Sequence, residues 1–235
     1  MITTILFDLD GTLLPMDQDI FLKAYLGGLA KKAAGHGYEA APLPKQIMAG
    51  TYAMVKNDGS ATNEDVFWAA FSALCGKDAK QDISIFDDFY RNEFQDVRHV
   101  CGCNPHAAEA IREIKTMGYT VALATNPLFP AIATHSRTRW AGIDPADFAL
   151  ITTYETSRHS KPNPAYYQDV LDDLGVKPEE CLMVGNDVGE DMIAEKLGMR
   201  VFLLTDCLIN KDNADISRYP HGSFPELMDH IRRLR

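Results

Sequence analysis

Two aspartates one residue apart, Asp8 and Asp10, close a short β-branched and apolar run and are followed at once by Gly11 and Thr12. On an extended backbone, residues two apart point to the same side. Neighbouring carboxylates repel, so one stays ionised while the other holds a proton more readily. That division suits an anionic nucleophile beside a general acid, although two aspartates at a strand end also describe a solvated turn. Other polar residues stand where later segments end or begin: Thr125-Asn126, Ser160-Lys161-Pro162, and Asn186-Asp187 with Asp191 beyond. Taken singly, Lys161 reads as a solvated surface residue and Thr125 as the cap of a helix beginning at Pro127.

Residues so far apart in sequence share a site only if the fold gathers the ends of several strands. Nearly continuous apolar runs at 3–7, 119–124, 148–152, 181–184 and 201–204 suit a parallel sheet covered on both faces. Helical periodicity fills the gaps. Asn104-Pro105 joins a capping residue to a first-turn proline, and Ala107, Ala110, Ile111, Ile114 and Met117 then recur at helical spacing before Gly118. Helices are expected likewise over 164–174, around Met192, Ile193 and Leu197, and over 224–234, the first two closed by Gly175 and Gly198. This alternation predicts an α/β protein, a Rossmann-like parallel sheet flanked by helices, with its site at the carboxyl ends of the strands.

The stretch 16–100 breaks the pattern. It offers no parallel-sheet strand but helical segments at 20–34, 44–56, 64–74 and 83–94, with Phe67, Trp68, Phe71, Phe86, Phe89 and Phe94 available to pack them together. The expectation is an inserted helical subdomain over 16–100 on a core of residues 1–15 and 101–235. Leaving directly after the first strand, it would lie over the presumed site as a lid.

Composition bounds the function. With 46% hydrophobic and 24% charged residues, the 235-residue chain can build a core, which excludes wholesale disorder. Thirty-three acidic against 23 basic residues give a net charge of −10, which argues against nucleic acid as a partner. A small anionic substrate stays open, because one lysine and a bound cation can make a local positive site. No apolar run approaches the roughly 20 residues needed to cross a bilayer, so no membrane partner is expected. Asp8 and Asp10 interrupt the N-terminal stretch too early for a signal peptide. A cytoplasmic address is expected, with the five scattered cysteines reduced.

Phe7-Asp8-Leu9-Asp10-Gly11-Thr12-Leu13 resembles the first motif of the haloacid dehalogenase-like hydrolase superfamily. Leu123-Ala124-Thr125-Asn126 is similar to its second motif, Ser160-Lys161-Pro162-Asn163-Pro164 to its third, and Val184-Gly185-Asn186-Asp187 with Asp191 to its fourth. The insert falls where the family's first type of helical cap lies. The resemblance implies that Asp8 attacks phosphorus and becomes a phosphoaspartate, and that Asp10 protonates the leaving oxygen and later deprotonates the hydrolytic water. It implies Mg²⁺ held by the Asp8 carboxylate, the Asp10 carbonyl and an acidic side chain of the fourth motif. It also implies that Thr125 and the Asn126 N–H bind the phosphoryl oxygens, and that Lys161 pairs with Asp8 and the transferring group. One departure stands out: a gap-free match puts Asn186 in the usual aspartate slot. Either Asp187 takes over the direct metal contact or Asn186 binds more weakly through its carbonyl; the favoured expectation is Asp187 as ligand, with Asp191 behind it as acceptor for metal-bound water.

The leading expectation is therefore a Mg²⁺-dependent phosphatase of a small phosphorylated metabolite. A phosphoryl-transfer mutase on a sugar phosphate is the rival within the same fold, and a non-catalytic binding protein the rival outside enzymes. The complete set Asp8, Asp10, Thr125 and Lys161 argues against the last. Asp17, Lys23, Tyr25 and Lys56 are the insert residues that could choose the leaving group. His99, Cys101, Cys103 and His106 lie close in sequence, yet their spacing fits a returning hinge better than a zinc site. Cys181 is expected in the core.

Overall fold

The computed structural model describes residues 1–234. Thr4–Phe7 (β1), Thr120–Leu123 (β2), Cys181–Gly185 (β3), Arg200–Leu204 (β4) and the two-residue His221–Gly222 (β5) form one parallel sheet in the order β2-β1-β3-β4-β5. Side chains alternate across it. Ile5 and Phe7 join one apolar cluster with Ile111, Ile114, Leu227 and Ile231, whereas Leu6 joins another with Tyr166, Tyr167, Val170 and Leu171. Both faces are thus covered by helices, which is why the strands read as continuous apolar runs. The chain runs from β1 to β2 on one side and later places β3 on the other, so the ends of these strands flank a switch point.

The helices start and stop for local reasons. Pro105–Thr116 (here α5) is capped by Asn104, whose side chain accepts the His106 N–H, and Pro164–Leu174 (α7) is capped in the same way by Asn163. Ala131–Trp140 (α6) begins four residues later than the Pro127 start expected. Pro127 and Pro130 hold the residues before them out of the helical region, and the Glu155 carboxylate then receives the Ala131 N–H. Phe224–Arg232 (α8) completes the core.

Two other expectations need correction. The run 148–152 is not a strand of the sheet. It lies along the open side of β2 with one isolated bridge, Leu123 to Ile151, and three hydrogen bonds, Ala149 N–H to Val121, Leu123 N–H to Leu150 and Thr152 N–H to Leu123. Phe148 and Thr152 are buried, but Ala149 is exposed and Leu150 and Ile151 are only partly covered, so the run flanks the sheet without a continuous ladder. Met192–Leu197 is a 3-10 helix rather than an α-helix, a six-residue span between the turn at Asp191 and left-handed Gly198.

Between β1 and α5 lie Gln18–Ala34 (α1), Leu43–Val55 (α2), Asn63–Cys75 (α3) and Ile83–Arg91 (α4), followed by a 3-10 stretch at Glu93–Val100. The expected helix over 83–94 breaks at Asn92, whose side-chain amide donates to the Asp88 carbonyl and carboxylate and competes with the helical ladder. The aromatic residues pack as anticipated: Phe67, Trp68, Phe71 and Phe86 meet at ring separations of 5.1 to 5.9 Å. The incoming and outgoing connections pair with each other, Met16 bridging Cys101 and Gly102 N–H donating to the Pro15 carbonyl at 2.6 Å.

The helices are also joined to the α/β layer by polar contacts. Asn63 is wholly buried; its amide nitrogen donates to the Pro127 and His159 carbonyls and to Ser160 Oγ, and its oxygen accepts from Asn57 Nδ2. Removing one buried partner strands the others. Asn63→Leu should therefore cost about 2 kcal/mol or more, read as a lower urea midpoint at unchanged m-value. A loss below about 0.5 kcal/mol, the range of ordinary surface substitutions, would show that this junction does not anchor the helices.

Candidate active site

Register decides which residues meet. Phe7 stands opposite Leu123 on one side and Val184 on the other. Continuing by one or two residues brings Asp8, Thr125 and Asn186 to a common rim. Asp8 N–H still donates to the Val184 carbonyl at 2.9 Å, and Ala124 N–H to the Phe7 carbonyl at 2.7 Å, so the rim is tied to the sheet. A cavity of about 200 Å³ opens there, and Asp8, Asp10, Asp187, Glu190 and Asp191 all line it. Thr125, Asn126 and Asn186 line it too, while Gln18, Phe21 and Leu22 of α1 contribute to its wall.

Lys161, fully buried, organises one half of the site. Its Nζ donates to Asp8 Oδ1 at 2.9 Å and to Asp191 Oδ1 at 2.6 Å. Burial pulls the lysine down, but the Asp191 and Asp8 carboxylates outweigh it and hold the ammonium well above its ordinary value. Burial in turn raises the Asp191 carboxyl against the lysine's pull. The other Asp191 oxygen accepts the Asp187 N–H at 2.9 Å. Asp191 is thus held by Lys161 and by the backbone of its own turn, and it lines the cavity.

Asn126 fixes the lysine's backbone: its Oδ1 accepts the Lys161 N–H at 3.2 Å, and its Nδ2 donates to Glu190 Oε2 at 3.0 Å. Thr125 is held through its carbonyl, which accepts from Thr152 Oγ1 and Tyr166 Oη. Neither the Thr125 hydroxyl nor the Asn126 N–H makes a hydrogen bond among the described residues, and both are free to meet an anionic group at the rim.

Thr12 and Asn186 brace the other side of Asp8. The single Thr12 hydroxyl proton is shared between Asp8 Oδ2 at 3.2 Å and Asn186 Oδ1 at 2.9 Å. Asn186 Nδ2 donates to the Cys207 carbonyl at 2.7 Å. Gly11, at φ +86°, permits this approach: a Cβ there would fall 2.4 Å from Asn186 Nδ2. Gly185 is needed for the same reason, since its Cβ would lie 2.1 Å from Asp191 Oδ2. Asp187 turns one oxygen to the Gly189 and Glu190 N–H groups, at 2.7 and 3.0 Å, and its second oxygen has no partner among the described residues.

Asp10 has a partner that pattern reading missed. Arg137 of α6, fully buried, forms an ion pair with Asp10 Oδ2 and lies 4.2 Å from the centre of the Phe129 ring. Burial raises the Asp10 carboxyl while Arg137 opposes it, and Asp10 Oδ1 is buried with no hydrogen-bond partner. An arginine in a helix of otherwise ordinary pattern gives no sign of facing inward. Glu190 was also missed; burial pushes it up to about 7.

Of the insert residues proposed to choose the leaving group, Asp17 caps α1 and Lys23 is exposed. Lys56 lies against Tyr52, and Tyr25 is buried with its hydroxyl bonded to Tyr90. His99, Cys101, Cys103 and His106 gather no metal-binding group, and Cys181 lies in the core as expected. No helix among the described residues is long and apolar enough to cross a membrane.

The donors suit a hard cation. They are oxygen atoms of Asp8, Asp10 and Asp187, with an unpartnered oxygen at Asp187 and no His or Cys on the cavity wall. Among the described residues no three acidic, His or Cys side chains converge on one point. Oxygen donors of this kind are what Mg²⁺ prefers, with water completing its shell. Five carboxylates on the wall against Lys161 and Arg137 also leave the site negative before any anion enters.

A family model described as haloacid dehalogenase-like hydrolase matches residues 2–196. The chain belongs to that family. It is 27% identical over 206 residues to a phosphoglycolate phosphatase of Vibrio vulnificus, covering 87% of this chain and 84% of that one. It is 24% identical over 199 residues to the pyrophosphatase PpaX of Bacillus velezensis, covering 85% and 81% respectively. Among solved structures, a 2-haloacid dehalogenase of Pseudomonas syringae superposes with a TM-score of 0.65 at 20% identity over the whole of both chains, a likeness of fold.

Truncating one member of a buried ion pair leaves the other uncompensated. Arg137→Met should lower stability by about 3 kcal/mol, measured by urea denaturation. Asp10→Asn together with Arg137→Met should cost less than the sum of the two single changes; strict additivity would show that the pair is not coupled.

Proposed function

We propose that this phosphoric monoester hydrolase uses Mg²⁺ and a phosphoaspartate on Asp8 to release phosphate from a small phosphorylated metabolite. In this reading residues 16–100 are the cap and residues 1–15 and 101–235 the core. The observation that carries it is the pairing at one rim of an anchored carboxylate with one that burial raises. Asp8 is held by Lys161 and Thr12, and Asp10 is held by Arg137.

An Asp8 oxygen attacks phosphorus, the ester P–O bond breaks, and Asp10 gives its proton to the departing alkoxide, which leaves as an alcohol. Water then attacks the phosphoaspartate and passes a proton to Asp10. The bond from phosphorus to Asp8 breaks, so inorganic phosphate leaves and both side chains return to their starting forms. Throughout, Lys161, the Thr125 hydroxyl and the Asn126 N–H face the charge that builds on the phosphoryl oxygens. Asp8, the Asp10 carbonyl and Asp187 would hold Mg²⁺, whose charge offsets repulsion between Asp8 and the phosphate dianion. Asp187 is favoured over Asn186 because both ends of the Asn186 amide are already engaged, by Thr12 and Cys207.

Phosphate release from a panel of esters, with Mg²⁺ and with EDTA, tests the reaction; an isomerised sugar phosphate without free phosphate would indicate transfer instead. Asp8→Asn should abolish turnover while keeping the wild-type circular dichroism, because amide and carboxylate are nearly the same shape. Retained activity would refute the nucleophile. Asp10→Asn should lower kcat by roughly 10²- to 10⁴-fold, the usual contribution of a general acid–base group. Asp187→Ala should raise the Mg²⁺ concentration needed for half-maximal rate more than it is raised by loss of Asn186 through Asn186→Ala. The opposite ranking would reassign the ligand.

A further inference from the structure

Beside the catalytic cavity lies a second one of about 210 Å³, enclosed between the helical insert and the loop after β2. Leu22, Leu128 and Phe129 belong to the walls of both cavities, so the two meet across this partition. All three are only half-buried, as side chains flanking open space are. A cavity of ~150 Å³ lined by apolar residues is enough to hold benzene, so this one has room for a substituted ring.

Its chemistry selects what could enter. Phe67, Phe86 and Tyr90 supply aromatic faces and edges. Trp68, 3% exposed, is also part of the wall, and its indole N–H has no hydrogen-bond partner. The Tyr154 hydroxyl is near enough to feel that N–H, but the geometry closes no hydrogen bond between them. That N–H is occluded from the cavity, so Trp68 offers the space apolar ring atoms rather than a donor. Among the described residues no lysine, arginine or histidine lines either cavity, and Asp87 is the sole charged residue on the second. A leaving group bearing a carboxylate or second phosphate would find no cation there and would be buried near a negative charge.

We propose that the second cavity is the leaving-group pocket, and that the substrate is a phosphate monoester of an uncharged alcohol. That alcohol carries an aromatic or comparably apolar body. The inference rests on the hydrolytic reading above and names its substrate class. Leu22, Leu128 and Phe129 then act as the partition past which the alcohol reaches from the phosphoryl site, and the insert selects substrates by apolar contact rather than by charge.

The probes are ethyl phosphate, phosphoglycolate, and 2-phenylethyl and 3-phenylpropyl phosphate. All are esters of alkyl alcohols, which keeps differences in leaving-group basicity small. With Mg²⁺, at least one arylalkyl ester should exceed both ethyl phosphate and phosphoglycolate in kcat/KM by ~10-fold or more, the discrimination that apolar pockets achieve. Thr51→Phe, which fills the cavity from α2, should cut the arylalkyl-to-ethyl ratio by a similar factor. If phosphoglycolate outcompetes every arylalkyl ester, or the ratio stays unmoved in Thr51→Phe, the pocket assignment is overturned while hydrolysis stands. If no ester releases phosphate, the hydrolytic reading falls and takes this inference with it.

Discussion

Repulsion among carboxylates crowded at the end of a parallel sheet is the constraint that the rest of the site answers. Asp8, Asp10, Asp187, Glu190 and Asp191 share one small cavity, and their charge is opposed from beneath by two buried cations. Lys161 bridges Asp8 and Asp191, and Arg137 holds Asp10. Burying such pairs seldom stabilises a fold by itself, because the cost of removing charge from water is comparable with the attraction recovered. Their persistence here follows from what they position. The lysine ties Asp8 to Asp191 at the rim, and the arginine fixes a carboxyl that burial biases toward its protonated form.

The support for these groups is mostly backbone. The register that sets Phe7 opposite Leu123 and Val184 puts three strand ends at one level. Two glycines then let side chains approach where any Cβ would collide. Asn126, Asn186 and Asp187 work in the same way, each spending polar atoms on nearby backbone so that the loops carrying the site have few alternatives.

The helical insert answers a different problem. It packs on Phe129, Trp140 and Tyr154 of the α/β layer through aromatic contacts and is tied there by the buried Asn63. Its first helix also walls the catalytic cavity. The cavity at the sheet's rim and the one beneath the helices share Leu22, Leu128 and Phe129 on their walls.

Short-range pattern was enough to place most elements. Nearly continuous apolar runs located β1 to β4, and Asn-Pro starts with glycine stops located α5 and α7, because these features depend on neighbouring residues alone. The four motif segments were legible for the same reason, each being a strand end or a helix start. Only tertiary structure decided the partners. Nothing near Arg137 shows that it faces Asp10, and nothing near Asp191 shows that both its oxygens are taken by Lys161 and the Asp187 backbone. The segment 148–152 looked like a strand because it is a short apolar run, and became an edge bridge because β2 pairs with it only in part. Hydrogen bonding and charge compensation are settled by what lies across the fold, whereas periodicity and capping are settled within a few residues along the chain.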